Sequence, residues 1–146
     1  ASPVQIAAMM NTIASGGVYR TPFFVYGAVD ETDGTMLETF SHGQARRAMA
    51  KETAGALCRM LQQVVEAGTA QDAAGLEEGA GGKTGTAQTG QFTPDGTERK
   101  NLWFAGFYPA QQPRYTIVVL QDGQVSTEHS SAAIFARLCA MLDLLA

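Results

Sequence analysis

The chain has 146 residues, of which 45% are hydrophobic and 16% charged. That is long enough to enclose a core and too apolar for a disordered polymer. A formal net charge of −4, with Lys51, Lys83 and Lys100 scattered along the sequence, excludes the dense basic surface that a nucleic-acid partner demands. No stretch is apolar and long enough to span a bilayer, and no signal peptide opens the sequence. A start directly on a helix cap is what a segment of a longer protein would show.

The first helix begins at Ser2-Pro3-Val4-Gln5. Ser2 can cap, Pro3 stands where its missing N–H is harmless, and Gln5 closes a capping box. Ile6, Met9, Met10 and Ile13 recur at helical spacing, and Gly16-Gly17 end the run. Met9 and Met10 are both expected in the core. Two strands, 23–29 and 35–40, follow around Glu31-Thr32-Asp33-Gly34, whose Asp-Gly pair is a hairpin signal. A second helix over 50–67 presents Ala54, Leu57, Met60, Leu61, Val64 and Val65 on one face and stops at Gly68.

Residues 69–79 read as a small, polar loop leading into a strand over 81–89. Residues 90–101, with Pro94-Asp95-Gly96 and the charges Glu98-Arg99-Lys100, read as a solvated loop, as does the Glu77-Glu78 pair. A second hairpin joins strands 102–108 and 114–121 across Pro109–Pro113, with the β-branched run Thr116-Ile117-Val118-Val119 suited to a sheet interior. The last helix, 128–145, is capped by Ser126 or Thr127 and carries a stripe of Ile134, Phe135, Leu138, Met141, Leu142 and Leu145. The whole reads as one α+β domain over 1–146, an antiparallel sheet with helices on its faces. Cys58 and Cys139 both fall in helical stretches and read as small buried hydrophobes, with a disulfide left open. His42 and His129 have no acidic or cysteine partners at metal-ligand spacing and read as surface residues, so no metal or cofactor is expected.

The chemistry concentrates in Gly82-Lys83-Thr84-Gly85-Thr86-Ala87-Gln88. A strand sends alternate side chains to opposite faces, so Lys83 and Gly85 share one face and Thr84 and Thr86 the other. Alone, a Lys-Thr-Gly triplet is equally a strand with a solvated lysine and a glycine bulge. Its surroundings add weight: Ser2-Pro3-Val4-Gln5 with Ala14-Ser15-Gly16-Gly17-Val18-Tyr19, then Val64-Val65-Glu66-Ala67-Gly68-Thr69-Ala70, and Trp103-Phe104-Ala105-Gly106-Phe107-Tyr108-Pro109 after the motif. In this order and spacing the chain resembles the C-terminal part of a penicillin-binding protein transpeptidase domain, within the penicillin-recognising serine enzymes.

The family's site draws on Ser-x-x-Lys, whose serine is acylated, on Ser-x-Asn, and on Lys-Thr-Gly. None of Ser2, Ser15, Ser41, Ser126, Ser130 and Ser131 has a lysine three residues on or an asparagine two residues on. Acyl transfer needs a serine activated by a neighbouring base, so this segment alone is expected to be catalytically inactive. The resemblance implies a partial fold without the family's N-terminal strands and catalytic helical region. It implies that Lys83 supplies charge, that the Thr84 and Thr86 hydroxyls bind a carboxylate, that Gly85 allows close approach of substrate, and that the Thr86 backbone N–H is one of two oxyanion-hole donors. Partners implied are a peptidoglycan stem peptide or a β-lactam. The location implied is outside the cytoplasmic membrane, behind an N-terminal anchor. In the family two further strands lie beside the last strand, so 114–121 is expected as an open edge that recruits a second copy or swaps. A non-catalytic peptide-binding or assembly module of the same fold is the alternative. A serine β-lactamase or β-lactam sensor fits the Ser2–Gln5 and Thr86–Gln88 segments less well.

Overall fold

The computed structural model describes residues 1–41 and 43–145, so the surface expectation for His42 lies outside the described residues. Helix α1 spans Pro3–Ala14, and its capping box forms as expected: Gln5 N–H donates to Ser2 Oγ at 3.3 Å and Ser2 N–H to Gln5 Oε1 at 2.8 Å. Strand β1 (Val18–Tyr19) pairs with β4 (Arg46–Arg47), an interaction without an apolar signature, where the Arg46 guanidinium sits 4.9 Å from the Tyr19 ring centre. Between them, β2 (Gly27–Val29) and β3 (Met36–Thr39) form a short hairpin. Asp30 and Asp33 close its turn by accepting the N–H groups of Thr32 and Thr35. The strands are shorter than the sequence suggests: the paired register runs from Gly27↔Thr39 to Val29↔Met36, and beyond it the Phe40 N–H donates to the Tyr26 carbonyl at 3.0 Å.

Helix α2 covers Lys51–Ala67 and a single 3₁₀ turn covers Gln71–Ala73. The central sheet follows: β5 (Gly81–Phe92), β6 (Glu98–Tyr108) and β7 (Tyr115–Gln124), antiparallel and in that spatial order. Here the expected solvated loop over 90–101 is corrected. Both strands run past it, leaving a five-residue connection in which Asp95 accepts the hydroxyls of Thr93 and Thr97 and Thr93 N–H donates to the Thr97 carbonyl. This extension is exposed and polar, so it never needed the alternation that marks a half-buried strand. The register jumps from Gln88↔Lys100 to Phe92↔Glu98, a bulge made possible by Gly90 at φ +70°. Arg99 is not a free loop charge but donates to the Gly123 carbonyl at 3.1 Å.

Helix α3 spans Ser131–Asp143, three residues later than expected, and its cap is Ser130 rather than Ser126 or Thr127. Ser130 Oγ accepts the Ala133 N–H at 3.1 Å and donates to Asp72 Oδ2 at 2.5 Å. Ser131 Oγ donates to the Leu102 carbonyl and accepts from Gln121, tying the helix start to the sheet. Several residues could cap locally; these distant partners decide which one does.

The sheet divides two cores. On one face Phe104, Tyr108, Ile117 and Val119 meet Ala132, Phe135 and Cys139 of α3, with Phe104 and Phe135 rings 4.7 Å apart. On the other, Ala105, Phe107 and Val118 meet Ile6 and Met10 of α1 and Cys58 and Leu61 of α2. Even- and odd-numbered residues of β6 thus serve different helices. Met10 is core as expected, but Met9 is 50% exposed, and Met60 and Met141 are likewise exposed. Both cysteines are free and lie in opposite cores, which closes the disulfide question. Burial pushes the Cys139 thiol up to about 12, with Asp143 adding to the shift. Burial and a 2.5 Å hydrogen bond to Asp143 raise the Tyr108 hydroxyl as well. Among the described residues no helix is long and apolar enough to cross a membrane.

Candidate functional site

Among the described residues β5 is an outer strand, paired on one side only. The two glycines that open it are there for packing. A Cβ on Gly81 would stand 2.2 Å from the Phe107 ring, and one on Gly82 would stand 2.4 Å from the Phe104 ring and 2.8 Å from the Ala105 carbonyl. Without side chains at 81 and 82, the two phenylalanines lie against the strand from its opposite faces. Gly85 differs: a Cβ there would meet only Trp103 Cβ, at an ordinary 3.5 Å. Nothing within the fold demands glycine at 85, so the space it leaves open is on the exposed surface. Trp103 itself is half-buried, in keeping with a packing role.

Lys83 and Thr84 project from opposite faces of β5, as the alternation requires, with register partners Ala105 and Phe104. The structure nevertheless brings their polar ends together. Lys83 curls around the unpaired edge, and its Nζ donates to Thr84 Oγ1 (3.1 Å), to the Thr84 carbonyl (3.0 Å) and to Thr69 Oγ1 (3.2 Å). Thr69 Oγ1 and Thr84 Oγ1 are 3.1 Å apart. The facial argument from sequence therefore separates two groups that an edge strand lets meet. Thr86 is exposed. Backbone groups alternate sides along a strand every residue, so those of Thr86 leave β5 on the same side as those of Thr84.

Thr69 was not among the residues the sequence singled out. Its place is fixed by the helix stop before it. Gly68 N–H and Ala70 N–H both donate to the Val64 carbonyl, and a Cβ at Gly68 would lie 2.8 Å from Val64 Cα and from its carbonyl. Ala70, fully buried, then pins the chain on the far side of Thr69. The hydroxyl is thus held between a glycine with no ready room for a Cβ and a buried alanine, and the helix-stop glycine just before Thr69 was the signal that the sequence offered.

The arrangement offers one cation, three threonine hydroxyls and unpaired strand backbone on an open edge, suited to an extended ligand that carries an anionic oxygen. A separate cavity of about 590 Å³ lies between α1, α2 and the β6–β7 turn, lined by Ser15, Lys51, Cys58, Arg59 and Gln62 among others. It lies away from β5 and brings together none of the motif residues. His129 is exposed, and its nearest carboxylate is the neighbouring Glu128 at 4.0 Å.

The family model for the penicillin binding protein transpeptidase domain matches residues 1–140. The chain belongs to that family. Penicillin-binding protein 1F of Bacillus subtilis is 38% identical over 109 residues, covering 74% of this chain and 14% of that protein. Peptidoglycan D,D-transpeptidase PbpA of Mycolicibacterium smegmatis is 31% identical over 123 residues, covering 84% and 24%. Among solved structures, penicillin binding protein 3 of Mycobacterium tuberculosis complexed with ampicillin superposes with a TM-score of 0.80 at 28% identity, covering 99% of this chain and 35% of that one. An imipenem acyl-enzyme complex of penicillin-binding protein A from the same organism gives 0.79 at 25% identity, covering 100% and 31%. The chain thus spans about a third of these solved structures and less than a quarter of these curated relatives' length.

Proposed function

We propose that this segment is the substrate-gripping sheet edge of a peptidoglycan D,D-transpeptidase, and that the same edge holds β-lactams. The observation that carries the reading is the Lys83–Thr84 cluster on the unpaired side of β5, in a chain matched by the transpeptidase family over residues 1–140. Lys83 supplies the positive field, the Thr84 and Thr86 hydroxyls take the terminal carboxylate of a stem peptide or β-lactam, and the ligand backbone lies beside β5 as an added strand over Gly85. The Thr86 N–H donates to the developing oxyanion; losing one such donor costs about 3–4 kcal/mol of transition-state stabilisation. The acylated serine and its lysine come from residues outside the six serines present here. The protein works outside the cytoplasmic membrane, where that cross-linking takes place.

The test is acylation by fluorescent penicillin of the natural polypeptide that carries this sequence. Covalent labelling that falls at least about tenfold in Thr84→Val, the loss expected for one charge-assisted hydrogen bond, supports the reading. A natural polypeptide that takes no label, or covalent labelling of residues 1–146 alone, overturns it.

For partners we propose a second copy. Among the described residues β7 pairs only with β6, and beside its other edge Tyr115, Ile117, Leu138, Met141, Leu142 and Leu145 line an apolar groove of about 540 Å³. An unpaired edge next to exposed apolar surface recruits a strand. Light scattering on residues 1–146 at high concentration tests this: a dimer dispersed by Ile117→Lys supports edge pairing, and a monomer throughout refutes it.

A further inference from the structure

We infer that Thr69 is a positioning residue for the carboxylate-binding edge, holding the Lys83 ammonium in place and leaving Thr84 a single use for its hydroxyl proton. The inference rests on the reading of β5 given above and follows from the hydrogen-bond contacts of the Lys83 ammonium. A lysine ammonium has three N–H donors and no acceptor. Lys83 Nζ lies within hydrogen-bond reach of Thr69 Oγ1 at 3.2 Å, the Thr84 carbonyl at 3.0 Å and Thr84 Oγ1 at 3.1 Å. So placed, the cation polarises both hydroxyls, and its charge reaches the ligand through them as well as directly.

Two hydroxyls receive that charge, and they share one hydrogen bond of 3.1 Å. Each has one proton to give and two lone pairs. When Thr69 gives its proton to Thr84, the Thr84 oxygen accepts from both Lys83 and Thr69, and both its lone pairs are filled. Its own O–H can then only donate, and the site around it contains no further acceptor among the hydrogen bonds it makes. In that arrangement, one of the two that the 3.1 Å contact allows and the one that an anionic ligand selects, Thr84 is a donor on an open strand edge. Without the Thr69 hydroxyl, Lys83 loses one of three acceptors, and Thr84 regains a lone pair that can draw in water. Thr69 never needs to touch the ligand. Because Thr69 is exposed and its backbone path is set by Gly68 and Ala70, replacing its side chain leaves the fold intact.

The experiment compares Thr69→Val, which keeps the shape and removes the hydroxyl, with Thr69→Ser, which restores it. The natural polypeptide is acylated with benzylpenicillin and with its methyl ester, which lacks the anionic oxygen. The expected result is a loss of about 10–100-fold toward the acid in Thr69→Val, the span of one hydrogen bond to a charged group. The ester rate stays unchanged, and Thr69→Ser recovers the acid rate. Equal losses toward acid and ester, or no loss, overturn the inference. A second arm uses residues 1–146 and the slowly exchanging ¹H–¹⁵N signal of the Lys83 ammonium. Its presence in the wild type and Thr69→Ser and its loss in Thr69→Val support the inference; an unchanged signal in Thr69→Val overturns it. A wild-type polypeptide that is not acylated at all refutes the transpeptidase reading, and the ammonium signal then still decides whether Thr69 anchors Lys83.

Discussion

Gly82 and Gly85 lie three residues apart on one strand, yet the structure assigns them opposite sensitivities. In Gly82→Ala the new methyl would be 2.4 Å from Phe104 Cζ and 2.8 Å from the Ala105 carbonyl oxygen. Neither neighbour can yield cheaply. The Phe104 ring is fully buried and packs on Phe135 at 4.7 Å, and the carbonyl belongs to the central strand β6. Overpacking of this kind costs about 1–3 kcal/mol, and with backbone involved the upper half of that span applies. For a chain of this size each kcal/mol lowers the melting temperature by about 2–4 °C, so Gly82→Ala should melt roughly 4–12 °C below the parent. In Gly85→Ala the methyl meets Trp103 Cβ at 3.5 Å, normal contact, and stability should stay within about 0.5 kcal/mol. Urea titration followed by circular dichroism measures both. Equal destabilisation by the two substitutions, or a Gly82→Ala protein as stable as the parent, would refute the division between a packing glycine and a clearance glycine. Binding reverses the order: Gly85→Ala should slow acylation of the natural polypeptide by penicillin while Gly82→Ala, if folded, should not.

Ser130→Ala removes both the cap of α3 and the bond to Asp72 and should cost about 1–2 kcal/mol in chemical denaturation; a loss below about 0.5 kcal/mol would show that the sheet contacts of Ser131 suffice. Cys139 binds its proton up to about pH 12 when folded against an ordinary 9.0. Between those values the unfolded chain holds fewer protons, so stability is complete below pH 9 and falls as pH rises, by roughly 1.4 kcal/mol per unit at most. Tyr108, also raised, steepens the fall above pH 10. Cys139→Ala should flatten the segment between pH 9 and 10, and an unchanged slope there would refute the assignment. A thiol reagent at pH 8 should reach Cys58, which is half-buried, well before Cys139, which is inaccessible until unfolding; simultaneous labelling would contradict the two-core arrangement.

Much of the architecture could be read from local chemistry. The box at Ser2 and Gln5, the stops at Gly16 and Gly68, and the Asp33-Gly34 turn each act within a few residues, and the structure follows them. The strand ends around the β5–β6 turn could not be read that way. Most of that stretch is exposed, Gln88, Gln91, Phe92 and Lys100 included, so it left no clear alternation of apolar and polar residues to find. The start of α3 was hidden for another reason: Ser126, Thr127, Ser130 and Ser131 can all cap, and the choice falls to Asp72, 58 residues from Ser130. The motif strand was visible in the sequence, but its geometry was not. Alternation sends Lys83 and Thr84 to opposite faces, and only an outer strand lets a long side chain turn back over its own edge. Thr69 joins them from 14 residues away, through a loop that looked merely small and polar.

The fully buried residues that seat the loop between α2 and β5 are alanines, with Leu76 packed partly buried beside them: Ala70 and Ala73 are 0% exposed and Ala80 is 3% exposed. A wall built of methyl groups has no slack, since even one added carbon must displace the chain that carries it. Changes such as Ala73→Val should therefore shift Thr69 and, with it, the lysine charge, from a buried position behind the edge. If β5 grips a ligand as proposed, a change in that grip need not begin at a residue that meets the ligand; it can begin in the masonry behind it.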